Sequence, residues 1–149
     1  MTNVPEVSVI MACYNASKYM EETIESVLNQ TFADFEFVIV DDFSTDDSLE
    51  IAQRYQQMDA RVMVVSLPKN SGAAAARNAA VEKARGRLIC VIDADDICRP
   101  YRLQVQHDFL LNNPASVLVS GAMEYIDESG DGVGRTYPIT DTKKIRKKY

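Results

Sequence analysis

No run of eighteen apolar residues occurs anywhere in the sequence, and the opening MTNVPEVSVIMAC has neither a charged n-region nor a long apolar h-region. Neither a membrane-crossing helix nor a secretory leader is predicted, and the chain reads as soluble and unexported. The three cysteines, Cys13, Cys90 and Cys98, are odd in number and lack a CxxC pair. No disulfide framework is implied, and a reducing compartment is the simpler expectation. Basic residues are in deficit: 16 Lys and Arg face 22 Asp and Glu, a formal charge of −6, which argues against a general nucleic-acid surface. The glycine signatures of phosphate binding are also missing. No GxGxxG follows the first strand-like run and no GxxxxGK[ST] occurs, which sets aside dinucleotide-dependent dehydrogenases and P-loop NTPases.

What is present is an ordinary globular composition, 46% hydrophobic and 26% charged over 149 residues, enough for one domain with a real core. VSVIMA, residues 7–12, has no polar face and reads as a strand covered on both sides. The period then changes: from Ser17 as N-cap, Met20, Ile24, Val27 and Leu28 share one face of a helix ending near Gln30. FEFVIVDD predicts a second strand over 35–42, and STDDS caps a helix whose Ile51, Tyr55 and Met58 share a face. RVMVVSL over 61–67 is a third strand. An alanine-rich helix from Ala73 to about Ala84 and RLICVID as strand four follow, with Gly86 between them. Pro100 suits the first turn of a helix running to Asn113 with Leu103, Gln106 and Leu110 on one side, and SVLVSG over 116–121 reads as strand five.

This alternation predicts an α/β fold with a mostly parallel sheet between helices. In such sheets ligands bind beyond the C-terminal strand ends. The polar residues gather there: Tyr14 and Asn15 after the first strand, Asp41 and Asp42 after the second, and Asp93, Asp95 and Asp96 after the fourth. Two like charges about 4 Å apart repel by roughly 4 kcal/mol at an effective dielectric near 20, so the DADD cluster calls for a cation or a raised pKa. A single Asp at a strand end often only caps the next helix, but three acids in four positions suit a divalent ion, with Asp95 the first choice as ligand, then Asp93 and Asp96. Asp41 is as readily a turn residue.

Taken in order, VSVIMACYN, VLNQTFADFEFVIVDDFSTDDS, NSGAAAARNAAVEKARG and VIDADD resemble the N-terminal half of the family 2 inverting glycosyltransferases, over Val7 to about Gly121. The resemblance implies the GT-A fold, a Rossmann-like three-layer sandwich, and transfer of a sugar from a nucleotide diphosphate, UDP in the first instance, to an acceptor hydroxyl with inversion. By position it implies a donor site of Ala12, Tyr14, Asn15, Asp42, Gly72, Arg77, Asp93 and Ala94. Tyr14 would contact base or ribose, Asp42 would accept a hydrogen bond from the base, and Arg77 would lie near base and diphosphate, where its fork of donors is apt. Gly72 either turns the chain or opens a helix N-terminus toward an anion. The DAD triplet matches the family's DxD, which holds Mg²⁺ or Mn²⁺ on the donor diphosphate; there the ion offsets charge on the departing nucleotide.

Departures are informative. Ala12 stands where many relatives have Pro or Thr, and Phe43 where Gly or Asn is common. The family's general base and a Q-x-x-R-W motif lie in its second half, and with no Trp here that motif is absent; nothing around Asp127, Glu128 or Asp131 matches the base. The expectation is a donor-binding domain over 1–122 and the start of an acceptor region over 123–149, a truncated piece with little transferase activity of its own. The acceptor would be a saccharide or a lipid-linked one, and the location cytoplasmic, any contact with the inner membrane face coming from the rest of a parent protein. Two alternatives compete: a non-catalytic nucleotide-sugar-binding module, and a DxD phosphatase of the haloacid-dehalogenase type with Asp93 as nucleophile. His107, Cys90 and Cys98 read as packing or surface residues, and the basic run from Lys143 to Lys148 as a solvated end.

Overall fold

A computed structural model of the chain describes residues 4–137. Packing divides it into two units, Met1–Val105 and Gln106–Tyr149. The basic run Lys143–Lys148 lies outside the described residues.

The first unit is built on a four-stranded parallel sheet ordered β3-β2-β1-β4, with β1 Val7–Cys13, β2 Phe35–Asp41, β3 Val62–Ser66 and β4 Leu88–Asp93. Strand periodicity divides β1 and β2 between two cores. Val9, Met11, Phe37 and Ile39 face one layer with Met20, Ile24, Val27, Ala52 and Tyr55, supplied by helices α1 Met20–Leu28 and α2 Ser48–Met58. Ile10, Val38 and Val40 face the other, against Ala76 and Ala80 of α3 Ala73–Lys83, where small side chains let the helix approach closely. β1 and β2 are apolar on both faces because both are covered. This is the three-layer α/β sandwich expected from the alternation of elements.

Several local expectations are corrected. α1 begins at Met20 after a turn and its N-cap residue is Tyr19, not Ser17. The Tyr19 and Met20 N–H groups, which a Ser17 cap would have met, donate instead to the Ala16 carbonyl at 3.0 and 3.1 Å, while the Ser17 and Ala16 N–H groups donate to Asp46 Oδ2 and Ser48 Oγ. On α2 the buried stripe is Ser48, Ala52 and Tyr55, and Met58 points to solvent. α4 spans Arg102–Asn112, with Pro100 in the turn before it. Gln30 anchors its start: Gln30 Nε2 donates to the Arg99 carbonyl at 2.8 Å and Gln30 Oε1 accepts from Leu103 N–H at 3.0 Å.

In the second unit the expected fifth strand over Ser116–Gly121 is absent. Val117 and Leu118 are 98% and 80% exposed, and among the described residues of this unit β5 Met123–Ile126 and β6 Gly132–Thr136 pair antiparallel with one another and not with that run. The β5–β6 turn is organised by Asp127, whose Oδ1 accepts from the N–H groups of Ser129 and Asp131. His107 sits beside Asp108, 3.2 Å from its carboxylate. Among the described residues no helix is long and apolar enough to cross a membrane.

Candidate functional site

The C-terminal edge of the parallel sheet collects the loops after β1, β2 and β4. The first two are tied together. Asn15, at φ +51°, accepts on Oδ1 from Thr45 N–H at 2.8 Å, and its own N–H donates to Ser44 Oγ at 3.0 Å. Asp46 accepts from Ser17 N–H, Ser48 N–H and Ser48 Oγ; burial works against the charged form, but these bonds outweigh it and hold its carboxyl well below the usual range. Sequence reading treated Asp46 and Ser48 only as cap candidates for α2; the long-range bonds to Ala16 and Ser17 left no local signal.

Successive residues at the end of β2 point to opposite faces, so the two adjacent acids have different roles. Asp41 faces the α1–α2 layer, where Oδ2 accepts from Ser44 N–H at 3.1 Å, the turn function allowed for it. Next to it, burial and then the Asp41 charge push the Cys13 thiol up to about 12, so this cysteine is a neutral packing group. Asp42 faces the α3 layer and is buried. Its two oxygens accept from Ser71 and Gly72 N–H at 2.7 Å each, fastening the start of α3. Gly72 is at φ +87°, which a glycine adopts without steric cost, and the chain turns there into α3.

Ala12, Tyr14, Asn15, Asp93, Ala94 and Asp95 line one cavity of about 340 Å³ with Tyr19. Six predicted residues thus meet in one place. Arg77 joins them through Asp93, its Nη2 2.5 Å from Asp93 Oδ1, and Asp42 and Gly72 are bonded to each other rather than lining the cavity. The DAD backbone is fixed by Thr23, whose Oγ1 donates to the Ala94 carbonyl at 3.0 Å. Asp96 is pushed up by burial first and then by the charges of Asp93 and Asp95, the surplus of like charge read from the sequence.

No cluster of three or more His, Cys, Asp and Glu side chains suited to a metal ion is found among the described residues. Mg²⁺ and Mn²⁺ do not need such a cage when substrate oxygens complete the shell; one or two carboxylates suffice. Asp93 and Asp95, hard oxygen donors opening on the same cavity, fit that requirement. The thiols Cys13, Cys90 and Cys98 are free, and burial raises Cys90.

Comparison with known proteins agrees with this architecture. The chain is 42% identical over 147 residues to an uncharacterized glycosyltransferase of Methanocaldococcus jannaschii, covering 97% of this chain and 51% of that protein. The chain therefore spans about half the length of that curated relative. Among solved structures, S. aureus TarS 1–349 in complex with UDP-GlcNAc superposes with a TM-score of 0.69 at 34% identity, over 73% of this chain and 32% of that one. A mannosyltransferase from Pyrobaculum calidifontis in complex with GDP-Man and Mn²⁺ gives 0.66 at 28% identity, over 85% and 37%. The GT-A type of α/β fold expected from the motifs is the one these neighbours share with it. The family model for Glycosyl transferase family 2 matches residues 8–149, and with the sheet, its loops and the acid cluster in place this chain belongs to that family.

Proposed function

We propose that residues 1–122 form the donor-binding domain of an inverting glycosyltransferase that takes a sugar from a nucleotide diphosphate, UDP in the first instance, to an acceptor hydroxyl with the help of Mg²⁺ or Mn²⁺. The observation that carries this reading is the cavity at the C-terminal sheet edge, where Tyr14 and Asn15 face Asp93 and Asp95. Family membership removes the phosphatase alternative. The neighbours solved in complex with UDP-GlcNAc and with GDP-Man and Mn²⁺ support a nucleotide-sugar donor and a divalent ion.

The roles follow from side-chain chemistry. Tyr14 offers a half-exposed ring to base or ribose. Each Asp42 oxygen, with one backbone N–H already bound, keeps a second lone pair for a base N–H. Arg77 carries more donors than its single bond to Asp93 uses, which suits diphosphate oxygens. Asp93 and Asp95, with Asp96 as a further carboxylate, would hold the divalent ion, which would supply Lewis-acid stabilisation of the leaving diphosphate. The general base is assigned to no residue of this chain; Asp127 is spent on its own turn. The acceptor, a saccharide or lipid-linked one, and a cytoplasmic location belong to the same proposal.

Calorimetric titration of UDP with and without Mn²⁺, repeated for Asp95→Ala and Asp42→Ala, tests it. Binding that depends on Mn²⁺ and weakens in both variants supports the donor site. A folded wild-type chain that binds no UDP in either condition refutes it. Melting temperatures accompany Asp42→Ala, because that carboxylate also fastens α3.

A further inference from the structure

Phe43 bears two costs at one position. Its φ is +65°, a left-handed conformation that a bulky residue rarely adopts, and the residue is 51% exposed. The conformation is imposed from both sides. Asp42 N–H donates to the Cys13 carbonyl at 2.9 Å, and its carboxylate grips Ser71 and Gly72. On the other side Ser44 N–H donates to Asp41 Oδ2, and Ser44 Oγ accepts from Asn15 N–H. A residue strained by surroundings that over-determine it, at the sheet edge where ligands bind, points to function rather than packing. Asn15, which grips the turn, follows Tyr14, an aromatic residue on the cavity wall that is also 51% exposed.

We infer that Phe43 is a specificity residue whose ring stacks on the nucleobase of the donor, beside the Asp42 carboxylate. The inference rests on the donor-site reading above and deepens it. An aromatic heterocycle is the ligand chemistry that an exposed ring of this kind retains, since stacking tolerates any base face and needs no hydrogen bond from the ring. The neighbouring carboxylate would then select among bases while the ring supplies affinity.

The test compares UDP with pyrophosphate, which lacks a base, each titrated with Mn²⁺ into the wild-type chain, Phe43→Asn and Phe43→Tyr. Asn tolerates the left-handed conformation, so that variant keeps the turn and should melt no lower than wild type. UDP affinity is expected to fall at least about fivefold in Phe43→Asn, the low end of what a base–aromatic stack supplies, and to stay within about twofold in Phe43→Tyr, which keeps the ring. Pyrophosphate affinity is expected to be the same in all three. Equal UDP binding by wild type and Phe43→Asn would overturn this inference alone, as would parallel loss of UDP and pyrophosphate binding. Failure of the wild-type chain to bind UDP would overturn the donor-site reading and this inference with it.

Discussion

Glu36 and Asp42 lie on the same face of the second strand segment, six positions apart, and each accepts backbone N–H groups at an opposite end of α3. Asp42 holds Ser71 and Gly72 before the helix, and Glu36 Oε1 accepts from Arg85 N–H after it at 2.6 Å. The strand covers about 20 Å over that interval and the eleven-residue helix about 16 Å, so the short loops at its ends close the difference. A helix with only Ala76 and Ala80 fully buried has little apolar area to hold it. The two carboxylates fix its register on the sheet, and so fix where Arg77 meets Asp93.

The Glu36 end predicts an acid-sensitive stability. Burial alone would raise its pKa, but bonds from Ser8 Oγ, Arg85 N–H and the Arg85 side chain outweigh burial and hold the carboxyl below its ordinary 4.5. A group with a lowered folded pKa contributes stability that is fully present above the unfolded value and is lost as pH falls through the folded one. Denaturant midpoints should therefore fall as pH drops below about 4.5, the reference value. In Glu36→Gln the protein should be less stable at pH 7, and the gap to wild type should narrow in acid. A gap that stays constant from pH 7 to pH 3 would contradict the assignment.

Gly86 sits in the same corner for want of space. A Cβ built there falls 2.5 Å from Ser8 N and 2.7 Å from Ser8 Oγ, and Gly86 N–H donates to that oxygen at 2.8 Å. The backbone of β1 has no rotamer by which to yield. Gly86→Ala should cost about 1–3 kcal/mol in chemical denaturation, the scale of overpacking a filled site. Gly72→Ala should also destabilise, but for a conformational reason, because no atom lies within 4 Å of its Cβ position and only its φ of +87° resists. Equal stability of Gly86→Ala and wild type would show that the corner opens more easily than its geometry implies.

Much of this was legible in the sequence because it is periodic or local. A run without a polar face gave β1, a strand-like run ending in paired acids gave β2, and the helical spacing gave the buried stripe of α1. The acid cluster and the four motifs located Ala12, Tyr14, Asn15, Asp93, Ala94 and Asp95, which do share a cavity. What escaped depends on long-range pairing. Ser17 looked like a cap, but the Ala16 carbonyl takes the N–H groups of Tyr19 and Met20, and Ser116–Gly121 looked like a strand because apolar composition says nothing about whether a partner ladder exists. Glu36, a single acid in an apolar strand, carried no signal, since its partners Ser8 and Arg85 are 28 and 49 residues away.

Arg77 offers a separation between stability and binding. Its ion pair with Asp93 is about half exposed on both sides, and such pairs contribute about 0–1 kcal/mol to stability. The Arg77 Nε is nevertheless buried and without a hydrogen-bond partner among the described residues, so the guanidinium is held by more than its pairing and retains unused donors. If those donors serve the donor diphosphate, Arg77→Gln should leave the denaturation midpoint nearly unchanged, with any loss under about 1 kcal/mol. UDP affinity measured with Mn²⁺ should drop about tenfold or more, as expected for loss of a charge-assisted bond to phosphate, while uridine, which has no phosphate, should bind both proteins alike. A uridine affinity that falls as far as the UDP affinity would move Arg77 from the diphosphate to the base, and unchanged UDP binding would remove it from the site.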